Sequence, residues 1–265
     1  MNRSSTSEVT GSSAGLVPYV MATPLVQAAL RLDVEGLRVA DEHRIDPRRV
    51  AGSSFMDAIQ RLDVVLYGAR DLTAPRWALY DCAGLPGAVI GFAKQASSLT
   101  KEERARLAVP DGEDGIVPVS MMIATPMLGE WRWLVYTIGA APSDVEALDH
   151  ATLRLGLAML DAHQIIATVQ WDSRELAAFA SIAPLRVRAA WLPVHEINAT
   201  CVIRIEATAL AEANRPADQL LDPRDAEALR DLQRDIEGGV TITIAGPPVS
   251  TKDGVRVPLR REVLS

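Results

Sequence analysis

The sequence is poor in cysteine. It has two cysteines among 265 residues, Cys82 and Cys201, and no C-x-x-C pair or other metal-ligand spacing. Isolated cysteines in apolar segments are most often small buried side chains. We therefore expect neither a disulfide framework nor a metal centre.

Excess positive charge and long apolar runs are also lacking. The chain carries 34 Asp and Glu against 27 Lys and Arg, a net charge of −7. Nucleic-acid binders use basic patches to contact phosphates, so no nucleic-acid partner is expected. Neither a membrane-spanning run nor the apolar core of a secretory signal is visible. These features predict a cytoplasmic protein that does not bind membranes, with a flexible polar tail at residues 1–15.

Apolar and charged residues are present in ordinary globular proportions. Hydrophobic residues make up 48% of the chain and charged residues 23%. This composition supports a well-packed core. We expect a single domain over 16–250, followed by a polar C-terminal tail at 251–265.

Hydrophobic periodicity predicts a chain that mixes helices and strands. The predicted helices are 25–40, 55–68, 143–162, 173–182 and 224–236. The predicted strands are 16–23, 77–82, 88–93, 116–125, 131–138, 165–171, 186–192, 199–207 and 240–244. This order indicates an α+β (α/β) fold with a mixed, largely antiparallel central sheet flanked by helices. Parallel pairing is expected around 131–171.

The element order over 77–207 resembles that of GNAT-type N-acetyltransferases. The most similar stretch is VQWDSRELAAFASI, residues 169–182. The resemblance implies an acyl-CoA loop at the start of the long helix, in IGAAPSD at 138–144. It assigns contacts with acetyl-CoA or another acyl-CoA to the residues Ile138, Gly139, Ala140, Ala141 and Ser143. Backbone N–H groups and the positive end of a helix favour pyrophosphate there.

Several residues depart from the family pattern. No Arg or Gln begins the loop, Pro142 removes one N–H donor, and Asp144 and Glu146 add negative charge. The tyrosine that acts as general acid in the family is matched by Phe179, which has no proton to donate. Either another residue replaces it, or catalysis has been lost.

Two residues are candidates for the general base, Glu130 and His195. Glu130 stands next to Trp131, and desolvation beside an indole raises the pKa of a carboxyl group. His195 stands in a loop between two predicted strands, where site residues are often found. An ordinary loop residue is the alternative in both cases.

Tryptophans at 131, 133, 171 and 191 fall on the later strands. Trp131 and Trp133 share a strand face, which favours a place in the sheet core over a ligand pocket or a homodimer surface.

The leading hypothesis is an acyl-CoA-dependent N-acyltransferase-like protein that acts on an amine. The alternatives are a non-catalytic protein of the same fold, used for assembly or ligand sensing, and an unrelated α/β hydrolase or lyase. Walker, G-x-S-x-G and G-x-G-x-x-G motifs are absent from the sequence.

Overall fold

The fold follows from a computed structural model that describes most of the chain. The described residues are 15–34, 37–45, 55, 57–59, 61–62, 87–126, 133–140, 145–160, 164–171, 173–191, 200–206 and 215–263.

The described residues form fifteen strands and five α-helices whose first and last residues are both described. The strands are β1 Val17–Ala22, β2 Asp33–Val34, β3 Leu37–Arg38, β4 Arg44–Ile45, β5 Ala88–Gln95, β6 Ile116–Pro118, β7 Ser120–Pro126, β8 Trp133–Ala140, β9 Gln164–Gln170, β10 Leu185–Trp191, β11 Thr200–Glu206, β12 Gln219–Leu221, β13 Val240–Ile244, β14 Val249–Thr251 and β15 Gly254–Val263. The helices are α1 Pro24–Gln27, α2 Lys101–Arg106, α3 Val145–Met159, α4 Arg174–Ile182 and α5 Ala226–Glu237. Residues 55, 57–59, 61 and 62 are also helical.

One large mixed sheet organises the described residues. Its strand order is β12-β15-β13-β10-β11-β9-β8-β7-β5-β1-β4. Within the described ranges, β8–β9 and β1–β4 are the parallel pairs, and the other neighbours are antiparallel. The expected fold class, a mixed and largely antiparallel sheet with flanking helices, is confirmed. Along the path from β5 through β11, the long α3 connects two parallel strands.

Helices α3 and α4 pack against each other, and α3 lies on the sheet at β5, β7 and β8. A Cβ on Gly156 of α3 would overlap the end of the Met122 side chain from β7. The absence of a side chain at Gly156 therefore brings α3 close to the sheet. Met122 itself is fully buried between them.

Helix α2 begins at a capping box. Thr100 accepts a hydrogen bond from the Glu103 N–H at 3.1 Å, and Glu103 accepts one from the Thr100 N–H at 2.9 Å. The Glu103 side chain is also paired with Lys94 of β5 at 2.8 Å. The cap thus fixes α2 to the sheet as well as to its own first turn.

The predicted helix at 25–40 is wrong. Helix α1 ends at Gln27, and the short strands β2 and β3 follow it. The Arg31 N–H donates to the Met159 carbonyl, 2.8 Å away at the end of α3, instead of to a helical carbonyl. This tertiary contact outcompetes a local pattern of weak amphipathicity.

The predicted polar tail at 251–265 is also wrong, because β15 occupies Gly254–Val263. The strand lies between β12 and β13, and its Val257 and Leu259 are fully buried. The sheet therefore continues beyond β10 through β13, β15 and β12, which we call the C-terminal extension. The outermost strand of this extension, β12, has three residues and lies between Pro216 and Pro223 in the sequence.

The C-terminal extension also completes the hydrogen bonding of β10. Strand β13 pairs with β10 over Leu185–Val187, and one extra residue, Arg188, bulges from β10 against β11. Beyond the bulge, the Ala190 N–H donates to Gln233 Oε1 of α5 at 2.8 Å. A side chain thus replaces the missing strand partner.

Replacing Gly91 with alanine should destabilise the protein by about 1–3 kcal/mol, because the buried sheet has no room for the methyl group. A Cβ there would overlap the Ser120 carbonyl oxygen and lie 2.9 Å from the Tyr19 hydroxyl. Denaturant unfolding measures the change. Gly246→Ala is the matched control, since its Cβ would meet nothing nearer than 3.9 Å. Equal stabilities of the two variants would contradict the close approach at Gly91.

The stability of the protein should fall with acid partly through Glu103. Burial alone would raise the pKa of Glu103, but hydrogen bonds from Lys94 and Thr100 hold it below the ordinary value of a glutamate. A lowered folded pKa stabilises the fold above the unfolded pKa, and this contribution is lost as the pH falls below about 4.5. Unfolding of Glu103→Gln, measured from pH 7 to 3, should depend less steeply on pH than that of the wild type. Parallel curves would refute this.

Candidate functional site

Strands β8 and β9 pair over a short stretch and then separate. Their parallel ladder joins Trp133, Leu134 and Val135 to Ile165, Ile166 and Ala167. Strand β8 continues to Ala140 and β9 to Gln170, with no further pairing between them in the described residues. The sheet therefore opens between the carboxyl ends of two parallel strands, and we call this feature the β8–β9 opening.

A bulge in β8 coincides with the point of separation. Ile123 of β7 pairs with Thr137 and Ala124 pairs with Val135, so Tyr136 is an extra residue in β8. A bulge bends its strand and increases the local twist. Strand β8 thus stays attached to β7 while it turns away from β9.

Two helices begin beside the β8–β9 opening. Helix α3 starts at Val145 after β8, and α4 starts at Arg174 after β9. Because both follow the carboxyl ends of neighbouring parallel strands, both N-terminal ends lie at the same edge of the sheet. Helix N-termini present free N–H groups and partial positive charge, which favours an anionic ligand.

Two polar contacts join α3 to α4. Asp149 is 4% exposed, and its Oδ2 accepts hydrogen bonds from Arg174 Nε at 3.2 Å and Nη2 at 2.6 Å. On the next residue of α3, His150 Nε2 lies 2.9 Å from Ser181 Oγ. Arg174 is in the first turn of α4 and Ser181 is in its last, so adjacent residues of α3 contact both ends of α4. The N-terminal half of α3 is thereby fixed in place.

A buried hydroxyl network connects the sheet with α3. The Tyr19 hydroxyl donates to the Ser120 carbonyl at 2.9 Å, and the Phe92 N–H donates to Ser120 Oγ at 3.1 Å. Thr152 Oγ1 lies 2.6 Å from Ser120 Oγ and 2.7 Å from the Leu148 carbonyl oxygen. Ser120 is also the ladder partner of Ala140, the last residue of β8. The network therefore anchors α3 next to the end of β8.

Trp171 comes directly after β9, on the other side of the opening. Its side chain is 1% exposed, and its indole N–H has no hydrogen-bond partner among the described residues. A buried donor without an acceptor is uncommon in folded proteins.

The structure gives the backbone of some predicted site residues. Ile138, Gly139 and Ala140 lie in β8, paired with Met122, Met121 and Ser120. The expected loop therefore starts later than Ile138, because strand pairing with β7 extends through Ala140. The remaining candidates all lie outside the described residues: Ala141, Ser143, Glu130 and His195.

Phe179 is buried in α4, with 1% of its surface exposed. The site residues predicted from the sequence do not include Asp149, Arg174, Ser120 or Thr152. Each depends on a partner at least 25 residues away, so no local pattern indicates it. Thr152 even fits the apolar side of α3 by spacing alone.

The described residues contain no group of three His, Cys, Asp or Glu side chains that could hold a metal ion. Over the same part of the chain, no helix is long and apolar enough to cross a membrane.

Comparison with known proteins gives structural likeness and no sequence match. No family model and no curated protein matches the chain. Mycobacterium smegmatis RimJ, solved in complex with CoA-disulfide, is 16% identical, with a TM-score of 0.36, over 63% of this chain and 81% of that one. The yncA protein of Salmonella typhimurium, solved with its cofactor acetyl-CoA, is 13% identical, with a TM-score of 0.35, over 61% of this chain and 90% of that one.

Ser120 and Thr152 should be energetically coupled. Ser120→Ala or Thr152→Val alone leaves a buried polar group with a lost partner, which costs about 1–3 kcal/mol. The double variant should lose less stability than the sum of the single losses, by at least about 0.5 kcal/mol. Denaturant unfolding of the wild type, the two single variants and the double variant gives the four stabilities of this double-mutant cycle. Strict additivity would show that the 2.6 Å contact contributes nothing.

Proposed function

We propose that this protein is an acyl-CoA-dependent N-acyltransferase-like protein, which transfers an acyl group to an amine at the β8–β9 opening. The observation that carries the proposal is the loss of parallel pairing after Val135 and Ala167, in the half of β8 that leads towards α3. In open sheets, ligands bind in the crevice at the carboxyl ends of parallel strands. An elongated ligand can lie between the two strands with its anionic end near α3.

The residues around the end of β8 fit a pyrophosphate group in several respects. Gly139 and Ala140 end the strand, and Ala141 and Ser143 belong to the connection to α3. Small residues allow close approach to backbone N–H groups, and the N-terminus of α3 contributes partial positive charge. Asp144 and Glu146 oppose an anion, so we expect affinity to depend mainly on backbone donors.

The proposed reaction needs a base and a source of one proton. A base removes a proton from the acceptor amine, whose nitrogen attacks the thioester carbonyl carbon. The carbon–sulfur bond then breaks, and CoA leaves as a thiolate that takes up a proton. We propose Glu130 or His195 as the base. Phe179 cannot protonate the thiolate, so the proton comes from solvent or from another side chain.

The second candidate function is a non-catalytic protein of the same fold, used for assembly or ligand sensing. The specific observation in its favour is the buried hydrocarbon ring of Phe179, at the position where the resembling family has a tyrosine. Such a protein would bind CoA or a similar ligand without turnover. A homodimer and a cytoplasmic location remain predictions under both functions, and native mass tests the first of them.

Acetyl-CoA, a longer acyl-CoA or free CoA should raise the melting temperature. A ligand at about 100 times its Kd stabilises the folded state by about 2.7 kcal/mol. Gly139→Leu should abolish the shift, because a larger side chain is expected to hinder approach to the end of β8. Gly246→Ala, far along the sheet, is the control and should keep it. If none of the three ligands raises the melting temperature, the proposed function is wrong.

Turnover then separates the two functions. If binding is accompanied by acetyl transfer to a panel of amines, Glu130→Gln or His195→Asn should lower kcat at least about 100-fold. Binding without turnover on any amine would favour the non-catalytic protein.

A further inference from the structure

A line of positively charged positions crosses one face of the sheet beyond β9. Arg260 of β15 pairs with Thr243 of β13, and Thr243 pairs in turn with Arg186 of β10. On its other side, Arg186 pairs with Arg204 of β11. Directly paired residues of antiparallel strands share a sheet face, and neighbouring strands are about 4.8 Å apart. These four positions form one row across four strands, which we call the arginine row.

Part of the positive charge of the arginine row is buried. Arg260 is 4% exposed, and Arg186 is half-buried. Within the described part of the chain, Arg186 forms no ion pair, and its Nη2 lies 3.4 Å from Thr241 Oγ1. On the same face, the carboxylate of Glu262 is engaged by Arg215, with 3.2 Å between nitrogen and oxygen. The guanidinium of Arg186 therefore remains reachable from solvent and keeps its capacity to bind an anion.

The pairing of Arg186 with Arg204 is unfavourable without a counterion. Like charges directly opposite each other destabilise a sheet. Glu206 holds the next position of β11 on the same face, since alternate residues of a strand share a face. One carboxylate balances one of the three arginine positions, so the row as a whole retains excess positive charge. This excess favours an anionic ligand.

The arginine row leads to the β8–β9 opening. Arg204 pairs with Ile166 of β9, and Ile166 pairs with Leu134 of β8. The next ladder pair of β8 and β9 is the last before the two strands separate. Two strand spacings, about 10 Å, lie between the backbone of Arg186 and that of Ile166. A ligand of modest size can thus contact the row and still reach the opening.

The arginine row and α3 lie on opposite faces of the sheet. Met122 of β7 lies against Gly156 of α3, and Ala124 is on the same face of β7, two residues further along. Ala124 pairs with Val135 of β8, so the adjacent Leu134 is a position of the other face. The row continues through Leu134 and is therefore separated by the sheet from the helix proposed to attract the anionic end of CoA.

We propose that the arginine row binds an oxyanion, a carboxylate or a phosphate, on the acceptor molecule, so that the preferred acceptor is an amine with a negatively charged group. The inference rests on the proposed function and names the chemical class of its acceptor. Arginine binds both of these groups through paired N–H donors. Because the row lies on the face opposite α3, it stays available to the second substrate while the acyl donor is bound.

Three short amines test the proposal on the free protein. β-Alanine carries a carboxylate, O-phosphoethanolamine carries a phosphate, and ethanolamine carries a neutral hydroxyl at a similar distance from the nitrogen. At constant ionic strength, at least one of the two anionic amines should raise the melting temperature of the wild type, and ethanolamine should not. The larger rise identifies the preferred oxyanion. Arg186→Gln should abolish the rise, whereas Arg186→Lys, which keeps the charge without the paired donors, should retain part of it.

The matched control is Arg261→Gln. Arg261 follows Arg260 in β15 and therefore belongs to the other face, where it pairs with Asp235 of α5 at 3.0 Å. This variant loses the same unit of charge and should keep the rise of the wild type. If both variants lose the rise equally, the anions act through the net charge of the protein, and the assignment to the arginine row is wrong.

Turnover with acetyl-CoA tests the role of the row in acceptor selection. Arg186→Gln should raise the KM for the anionic amine about ten- to hundredfold, as expected for the loss of hydrogen bonds to a charged group. The KM for ethanolamine and the KM for acetyl-CoA should not change. An equal rise for anionic and neutral amines would contradict the proposed recognition.

The outcomes separate this inference from the proposed function. If the wild type binds CoA but does not distinguish anionic amines from ethanolamine, the inference is wrong and the proposed function stands. If the anionic amines bind through Arg186 and no form of CoA binds, the proposed function is wrong, and with it the assignment of the anion to an acceptor. If none of the three amines raises the melting temperature, the inference fails whatever the result with CoA.

Discussion

The parallel pairing of β8 with β9 is the constraint on which the rest of the structure depends. Three consecutive pairs join the two strands, and α3 must cross over between them. A crossover of this kind places a helix on the sheet and both carboxyl ends at one edge. Had the ladder continued to Ala140 and Gln170, the sheet would be closed where it now opens. The brevity of this pairing is therefore as important to the site as its direction.

The packing around α3 keeps the opening in a defined geometry. Gly156 lets the helix approach β7, Thr152 links it to Ser120, and Asp149 links it to Arg174 of α4. These contacts lie along successive turns of one helix. The first contact is steric, the second is a hydrogen bond between hydroxyl groups, and the third is an ion pair. The position of α3 therefore does not depend on any single contact. A rigid helix at the edge of the opening suits a site that must hold a long ligand in one orientation.

The sequence predicted those parts of the fold in which local and tertiary preferences agree. The strand at β5 and the helix at α4 both appear where periodicity and turn residues indicate them. The region after Gln27 fails because Arg31 finds its acceptor at Met159, a contact invisible to a local window. Residues 254–263 read as polar because Arg256, Arg260, Arg261 and Glu262 dominate the segment. In the sheet, however, Val257, Leu259 and even Arg260 are buried.

The candidate site was less accessible to sequence reasoning than the fold. The resemblance pointed to the segment after β8, and the backbone of Ile138 to Ala140 lies at the opening but in strand conformation. Small residues such as Gly139 and Ala140 suit both a strand end and a phosphate loop, so composition does not separate the two. Trp171 shows the opposite problem. Its aromatic ring predicts core packing, and only the three-dimensional surroundings reveal that its N–H has no acceptor within the described part of the chain.

The placement of β15 between β12 and β13 has a consequence for how the chain folds during synthesis. Both neighbours leave the ribosome before β15 does, so the nascent chain holds two strand edges that await the same partner. Until then β13 can pair on one side only, with β10. Non-local pairing of this kind is slow and leaves unpaired edges exposed to other chains. Strand β15 thus covers both of these edges in one step, which ends their exposure to other chains.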